Sequence, residues 1–126
     1  MIEITLKEIV DGMDLLCELS TRSLKTKAAY QLGRILREAQ KEFSLYKEKR
    51  IALLEKYADK DEEGKPIIEN GNYKISDEGI AAINTEYNEL IETTVTLNAN
   101  KLQLYLLDDE TFTPTEMLKL MPFVEE

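Results

Sequence analysis

Residues 29–57 read AYQLGRILREAQKEFSLYKEKRIALLEKY and carry apolar side chains at alternating steps of three and four. This spacing places side chains on one face of an α-helix and is typical of a seam against a neighbouring helix. We therefore predict a long helix over residues 24–58. The predicted seam consists of Ala29, Leu32, Leu36, Ala39, Phe43, Tyr46, Arg50, Leu53 and Tyr57.

Two residues depart from this regular pattern. Arg50 is the charged member of the seam, and it either pairs with an acid on the neighbouring helix or extends its guanidinium into solvent. The acids available for such a pair are Glu86, Glu89 and Glu92. Gly33 follows a seam position, where it destabilises a helix by about 1 kcal/mol relative to alanine and allows another helix to approach closely.

Local signals predict the elements that flank the long helix. Residues 1–4 alternate apolar and polar side chains, as in a short strand or an extended lead-in. Thr5 and Glu8 have capping-box spacing, which predicts a first helix that ends near Leu19. The pair Asn70-Gly71 favours a type I′ turn and predicts a β-hairpin over residues 67–75.

The C-terminal half contains further helix and strand patterns. Ser76 precedes an apolar helical pattern over residues 77–92 and is a favourable N-cap. Residues 93–97 and 102–106 alternate, and we predict that they form a second short ribbon through a turn at 98–101. Thr113 has Pro114 at the next position, which predicts a short final helix.

These patterns predict a mainly α fold with one domain over residues 1–126. Its centre is a long helical hairpin, residues 24–58 against 77–92, with the first helix packed alongside. The small β-hairpin lies at the tip. Because the third helix covers less than half of the long seam, we expect self-association to bury the remainder.

The composition excludes several kinds of chemistry. The chain has 126 residues, no histidine, one cysteine and five glycines. Serine–histidine catalysis, histidine-ligated metals and intrachain disulfides are therefore excluded, and the usual glycine-rich phosphate loops are absent. No signal peptide or membrane-spanning segment is visible. We expect no catalytic residues, no cofactor and no bound metal, and we expect a cytoplasmic protein.

Charge is divided unequally along the chain. Residues 1–58 carry a net charge of +2 and residues 59–126 a net charge of −11, giving −9 in total. Nine bases and three acids lie in residues 22–50. A basic helix beside an acidic remainder indicates either a nucleic-acid face or a complementary protein surface. We favour the protein surface, because Tyr30, Phe43 and Tyr46 have the spacing of core residues rather than of base-stacking platforms.

An acidic loop resembles half of a calcium site. Asp59, Asp61 and Glu63 alternate before Gly64, as oxygen ligands do in the first half of a calcium-binding loop. The second half departs from that pattern, because the twelfth position is Asn70 instead of glutamate. We interpret the segment as a solvated loop.

Other reactive side chains have structural interpretations. Cys17 shares an apolar helix face with Met13 and Leu16, so we predict a buried, unreactive thiol. Acids at residues 108–110 precede a helix, where they favour the helix dipole, and the pair Glu86 and Glu89 faces away from the apolar side. An enzyme that uses a carboxylate-bound metal is therefore the least favoured hypothesis.

The long basic helix and the segment from Tyr57 to Pro66, YADKDEEGKP, resemble a family of short proteins of uncharacterised function. The hairpin around Asn70-Gly71 and the helix that contains Glu86-Tyr87-Asn88-Glu89-Leu90 extend the resemblance. Members of this family are encoded by tailed phages and prophages, mainly of Gram-positive bacteria. The resemblance implies a phage origin and a helical core with a hairpin, and it brings no catalytic residues.

These inferences lead to a functional hypothesis. We expect a non-enzymatic phage or prophage protein that binds a protein partner, either as an assembly component or as an inhibitor of a host system. It would act in the host cytoplasm or in the virion. The expected interface of a homo-oligomer consists of Leu32, Leu36, Phe43 and Leu53. The alternative is nucleic-acid binding through a basic face consisting of Arg34, Arg37, Lys41, Lys47 and Arg50.

Overall fold

Four α-helices and six short β-strands follow one another in the structure, a computed structural model that describes residues 1–126. The helices are α1 (Leu6–Leu19), α2 (Thr26–Tyr57), α3 (Asp77–Ile91) and α4 (Pro114–Leu120). The strands are β1 (Ile2–Thr5), β2 (Ile68–Glu69), β3 (Asn72–Tyr73), β4 (Thr94–Leu97), β5 (Leu102–Gln103) and β6 (Val124–Glu125). The prediction of a mainly helical chain with a long central helix and small sheets is confirmed.

Contacts divide the chain into two compact units. The first unit contains residues 1–43 and 93–126, and the second contains residues 44–92. Helix α2 contributes its first part to one unit and its last part to the other. Each unit is described separately below.

The start of α1 has the capping box that the sequence predicts. The Thr5 side chain accepts a hydrogen bond from the backbone nitrogen of Glu8 at 3.2 Å, and the Glu8 carboxylate accepts one from the backbone nitrogen of Thr5 at 3.1 Å. These two bonds satisfy amides that a helix start otherwise leaves unpaired. The capping residue Thr5 is also the last residue of β1, so the N-terminal segment is a strand.

The predicted second ribbon is wrong. Strand β4 pairs antiparallel with β1, and Ile2 lies opposite Leu97 in that ladder. The side chains of Ile2, Ile4 and Leu97 are at most 2% exposed. Burial of the apolar side of β1 therefore selects β4 as its partner. Residues 98–101 lead the chain away from this sheet instead of turning it back.

The segment after the turn is also different from the prediction. Only Leu102 and Gln103 are extended, and they pair in parallel with β6 at the C-terminus. Residues 104–107 form a 3₁₀ helix, in which the consecutive residues Leu106 and Leu107 are both buried. A strand cannot bury two consecutive side chains on one face, which explains why alternation does not continue to residue 106.

Helix α4 packs against α1 through a close contact. Its N-terminus has the predicted start, with Thr113 as the cap and Pro114 in the first turn, and Glu116 completes a capping box. The buried ring of Phe123 lies directly over Gly12 of α1. A Cβ atom at Gly12 would be only 2.8 Å from that ring. This position therefore requires glycine for packing.

The first half of α2 buries a face that is displaced from the predicted seam. Ala28 and Ile35 are fully buried, whereas Ala29 is exposed and Leu36 is half-buried. Apolar pairs occur at 28–29 and 35–36, so the sequence allows either phase. In the observed phase, Gln31 accepts a hydrogen bond from Gln103. A Cβ atom at Gly33 would meet no neighbouring group within 4 Å, so the close helix approach expected there is not observed.

The second unit begins with the end of α2 and contains the predicted hairpin. Strands β2 and β3 pair antiparallel. Asn70 and Gly71 have φ values of 52° and 80°, as a type I′ turn requires. The Ser76 side chain accepts a hydrogen bond from the backbone nitrogen of Gly79 and caps α3.

Helix α3 contacts the last part of α2 at two points along its length. A Cβ atom at Gly79 would lie 3.0 Å from the carbonyl oxygen of Tyr57, and the hydroxyl groups of Tyr46 and Tyr87 are 2.7 Å apart. The pairing of the whole stretch 24–58 with 77–92 as a helical hairpin stays a prediction.

Candidate functional site

Positive and aromatic side chains share the solvent-facing side of α2 in the first unit. Lys27, Tyr30, Arg34 and Arg37 recur at steps of three and four, and all four are exposed. We call this set the α2 basic face. It lies on the opposite side of the helix from Ala28, Leu32, Ile35 and Ala39, which are at most 2% exposed. The helix is thereby divided into a packed side and a charged side.

The two arginines of this face form no salt bridge with an acid. The ion pairs of the first unit are Arg22–Glu18, Arg22–Glu110, Lys25–Asp109 and Lys41–Glu38. Arg34 and Arg37 take part in none of them. Lys41 continues the spacing of the face, but its hydrogen bond to Glu38 holds the pKa of that carboxyl group below its usual value. The charge of Arg37 also lowers the pKa of Glu38, so the side chains of the face without an acidic partner are Lys27 and Arg34.

Two exposed tyrosines border these charges. Tyr30 is 68% exposed and Tyr105 is 52% exposed. The expectation that Tyr30 is a core residue is therefore wrong, because Tyr30 lies on the opposite side of α2 from the buried residues Ala28 and Ile35. Tyr46 is 7% exposed, so its predicted core position is confirmed.

A cleft of about 240 Å³ lies between α2 and the loop after β4. Its lining residues are Lys27, Tyr30, Gln31, Arg34 and Asn100. We call it the Gln31 cleft. None of these residues is acidic, and they supply cationic and amide nitrogen donors.

The network behind this cleft fixes its polar groups. The Gln31 side-chain oxygen accepts a hydrogen bond from the backbone nitrogen of Gln103 at 3.3 Å. The Lys27 ammonium donates to the Tyr105 hydroxyl at 3.5 Å, and that hydroxyl donates to the Gln103 side chain at 3.1 Å. Side chains from two separate parts of the sequence are thus held in one arrangement.

Part of the predicted basic face lies outside this arrangement. Arg34, Arg37 and Lys41 belong to the first unit, whereas Lys47 and Arg50 belong to the second. The regular spacing ends after Lys41. Arg50 is exposed, and Glu86, one of its predicted partners, accepts a hydrogen bond from Lys56 at 3.2 Å instead.

The predicted oligomer interface is unevenly accessible. Leu32 is 2% exposed, so its side chain is packed inside the first unit. Leu36, Phe43 and Leu53 are half-buried and retain some accessible surface.

The acids of the 59–63 loop are organised by the backbone. One Asp61 carboxylate oxygen accepts hydrogen bonds from the backbone nitrogens of Glu63 and Lys65, at 2.9 and 3.0 Å. Gly64 follows with a φ of 80°. No group of three or more His, Cys, Asp or Glu side chains in the structure is arranged to hold a metal ion.

The thiol of Cys17 is exposed, which contradicts the predicted buried thiol. The packed face of α1 includes Leu15 and Leu19. It is therefore centred between Gly12 and Leu16, and Cys17 falls outside its border.

The acidic clusters take part in surface contacts. Glu110 and Asp109 pair with Arg22 and Lys25. Hydrogen bonds from Tyr57 and from Lys56 lower the pKa of Glu86.

Sequence reasoning missed Asn100 in the lining of the Gln31 cleft, and it missed Gln103 and Tyr105 in the hydrogen-bond network behind the cleft. The basic helical stripe is visible in the sequence. Asn100, Gln103 and Tyr105 lie beside it because the chain after β4 does not turn back as the predicted second ribbon requires. No signal in their local sequence indicates this contact.

No protein-family model, curated protein or solved structure matches this chain. No helix in the structure combines the length and apolar character that a membrane span requires.

Proposed function

We propose that this chain is a non-enzymatic binding protein whose partner is another protein with an acidic surface. The observation that supports this most directly is the α2 basic face, where Arg34 forms no salt bridge and lines a cleft with the exposed Tyr30, and where Lys27 contacts the exposed Tyr105. Tyrosine and arginine are enriched at the centres of protein interfaces, because they combine contact area with directed hydrogen bonds.

The charge distribution favours a protein partner of limited negative charge. The chain carries a net charge of −9, so a long polyanion would be repelled once it extended past the basic face. A folded protein with a local acidic patch meets only the complementary region.

The biological setting is proposed from the sequence resemblance. The chain would be a phage or prophage protein, acting in the host cytoplasm or in the virion. It would serve either as an assembly or accessory component or as an inhibitor of a host system. The identity of the crosslinked partner in the experiment below distinguishes these two roles.

The experiment places a photocrosslinking amino acid at position 30, where Tyr30 is exposed, in cells of the source organism. We expect a protein adduct of defined mass, which is lost in a variant that also carries Arg34→Glu and Arg37→Glu. The same crosslinker at exposed Lys49 is the matched control on the same helix, and we expect no such adduct from it. Absence of any adduct from position 30 would contradict the proposal.

Single-stranded nucleic acid is a second candidate partner, favoured by the exposure of Tyr30 and Tyr105 next to Lys27 and Arg34. Aromatic side chains beside cations stack unpaired bases. Fluorescence anisotropy with a labelled oligothymidylate tests this. Submicromolar affinity that falls steeply with salt and is lost in Tyr30→Ala would promote this candidate, because non-specific binding is in the range of roughly 10⁻⁴–10⁻⁶ M.

We also propose that the chain self-associates through the partly exposed residues of α2. Leu36, Phe43 and Leu53 keep accessible apolar surface that a second copy would cover. A two-fold axis would bring the same residues of the two copies together.

A further inference from the structure

The Gln31 cleft combines a small volume with a uniform set of donors. At about 240 Å³ it is smaller than typical small-molecule sites, which span roughly 300–1,000 Å³. Its lining supplies the ammonium of Lys27, the guanidinium of Arg34 and the amides of Gln31 and Asn100. A cleft of this size and composition suits one anionic side chain better than a free metabolite.

Two of the donors, Gln31 and Lys27, are held by hydrogen bonds before any ligand arrives. The Gln31 oxygen is occupied by the backbone nitrogen of Gln103, so the side-chain nitrogen of Gln31 is directed away from that bond. The contact between Lys27 and Tyr105 restrains the lysine side chain in the same way. Groups that are fixed in advance lose less conformational entropy when a ligand binds.

We propose that the Gln31 cleft binds the carboxylate of an aspartate or glutamate side chain that the partner protein presents. This inference rests on the proposed function and names the chemical group that the partner contributes. The Arg34 guanidinium matches the two oxygens of a carboxylate, and the amide of Gln31 adds a neutral donor.

A carboxylate is favoured over a phosphodiester by the charge of the whole chain. One acidic side chain brings a single negative charge into the basic region. A nucleic acid brings one charge per nucleotide towards a protein with a net charge of −9. Binding of a phosphate group instead of a carboxylate is therefore the alternative outcome of the test.

The experiment titrates the ¹⁵N-labelled protein with hexaglutamate, blocked at both ends, at low ionic strength. We expect chemical-shift changes at the side-chain amides of Gln31 and Asn100 and at the backbone amide of Gln103. We expect none from blocked hexaserine. Larger changes at the same amides with hexathymidylate or inorganic phosphate would overturn the carboxylate assignment.

The decisive variant is Gln31→Glu, because it keeps an oxygen acceptor for Gln103 while it replaces the amide donor with a negative charge. We expect hexaglutamate affinity to fall by about tenfold with an unchanged melting temperature. Asn100→Asp should act in the same direction. Lys49→Gln is the matched control, since it removes one positive charge from an exposed position outside the cleft, and its affinity should stay within about twofold of the parent.

The two proposals fail in different ways. If hexaglutamate shifts none of the cleft amides, or if Gln31→Glu binds it as the parent does, the carboxylate site is wrong. The crosslink from position 30 does not depend on the cleft being filled. A protein adduct from position 30, without chemical-shift changes at the cleft amides in hexaglutamate, would therefore overturn only this inference.

Discussion

The hydroxyl groups of Tyr46 and Tyr87 lie 2.7 Å apart and join the last part of α2 to α3. Tyr46 is 7% exposed, and the two rings are tilted by 59° with centroids 6.1 Å apart. Burial, with the hydrogen bond to Tyr87, raises the pKa of Tyr46 to about 12. This pair is a part-buried polar contact within the second unit.

We predict that this pair makes stability sensitive to alkaline pH. The raised pKa means that the unfolded chain loses the Tyr46 proton near pH 10, while the folded chain keeps it until about pH 12. The stabilisation is complete below pH 10 and is lost as pH rises to 12. Denaturant titrations between pH 9 and 12 should show a smaller decline for Tyr46→Phe than for the parent.

The control for this prediction is Tyr30→Phe, whose hydroxyl is exposed. It should follow the parent across the same pH range. At pH 7, Tyr46→Phe should lower the free energy of unfolding by about 1 kcal/mol, because Tyr87 loses a partly buried hydrogen-bond partner. Equal alkaline slopes for all three proteins would contradict the assignment.

Substitution by alanine should change the stability of the protein in opposite directions at two helical glycines. A Cβ atom at Gly12 would lie 2.8 Å from the Phe123 ring and 3.1 Å from the carbonyl oxygen of Lys119, so Gly12→Ala should destabilise the protein by about 1–3 kcal/mol. Gly33 has open space around it, so Gly33→Ala should stabilise the protein by about 0.5–1 kcal/mol. Thermal unfolding measures both changes, and a destabilising Gly33→Ala would show that another element covers that position.

The elements that the sequence predicts well are those that depend on neighbouring residues. The capping boxes at Thr5 and Thr113 and the turn at Asn70-Gly71 are each formed by contacts within four positions. Their hydrogen bonds do not require any distant partner. Local chemistry is therefore sufficient to locate the start of α1, the start of α4 and the hairpin.

The failures all involve a choice between distant partners. The local sequence of strand β4 is compatible with several partner strands. It pairs with β1, because this pairing buries the side chains of Ile2 and Ile4. Likewise, adjacent apolar residues at 35 and 36 allow two phases of α2, and in the structure Ile35 is the fully buried one. The contribution of Asn100 to the Gln31 cleft depends on a distant contact of the same kind, so sequence reasoning does not reveal it.

We predict that the protein forms a dimer or larger oligomer at micromolar concentration. Leu36→Asp should produce a folded species of lower mass, because it places a charge in the partly exposed apolar surface of α2. Leu45 is already 52% exposed, and Leu45→Asp is the matched control that should leave the mass unchanged. Light scattering measures the masses, and circular dichroism verifies folding. A parent that is monomeric at the highest concentration would refute this prediction.

The last prediction concerns Asp61, whose carboxylate accepts hydrogen bonds from two backbone nitrogens within its own loop. Asp61→Asn keeps an oxygen acceptor and should therefore unfold like the parent, whereas Asp61→Ala leaves both amides without their partner and should be about 1 kcal/mol less stable. A calcium ion would compete for the same oxygen. Tight binding would stabilise the fold by about 2.7 kcal/mol at a hundredfold excess of calcium over Kd, and the melting temperature would rise by several degrees. We expect the melting temperature in millimolar calcium to match that in EDTA to within about a degree or two. A larger rise in calcium that Asp61→Asn abolishes would instead identify the loop as a metal site, because only the loss of a ligating charge would separate the parent from that variant.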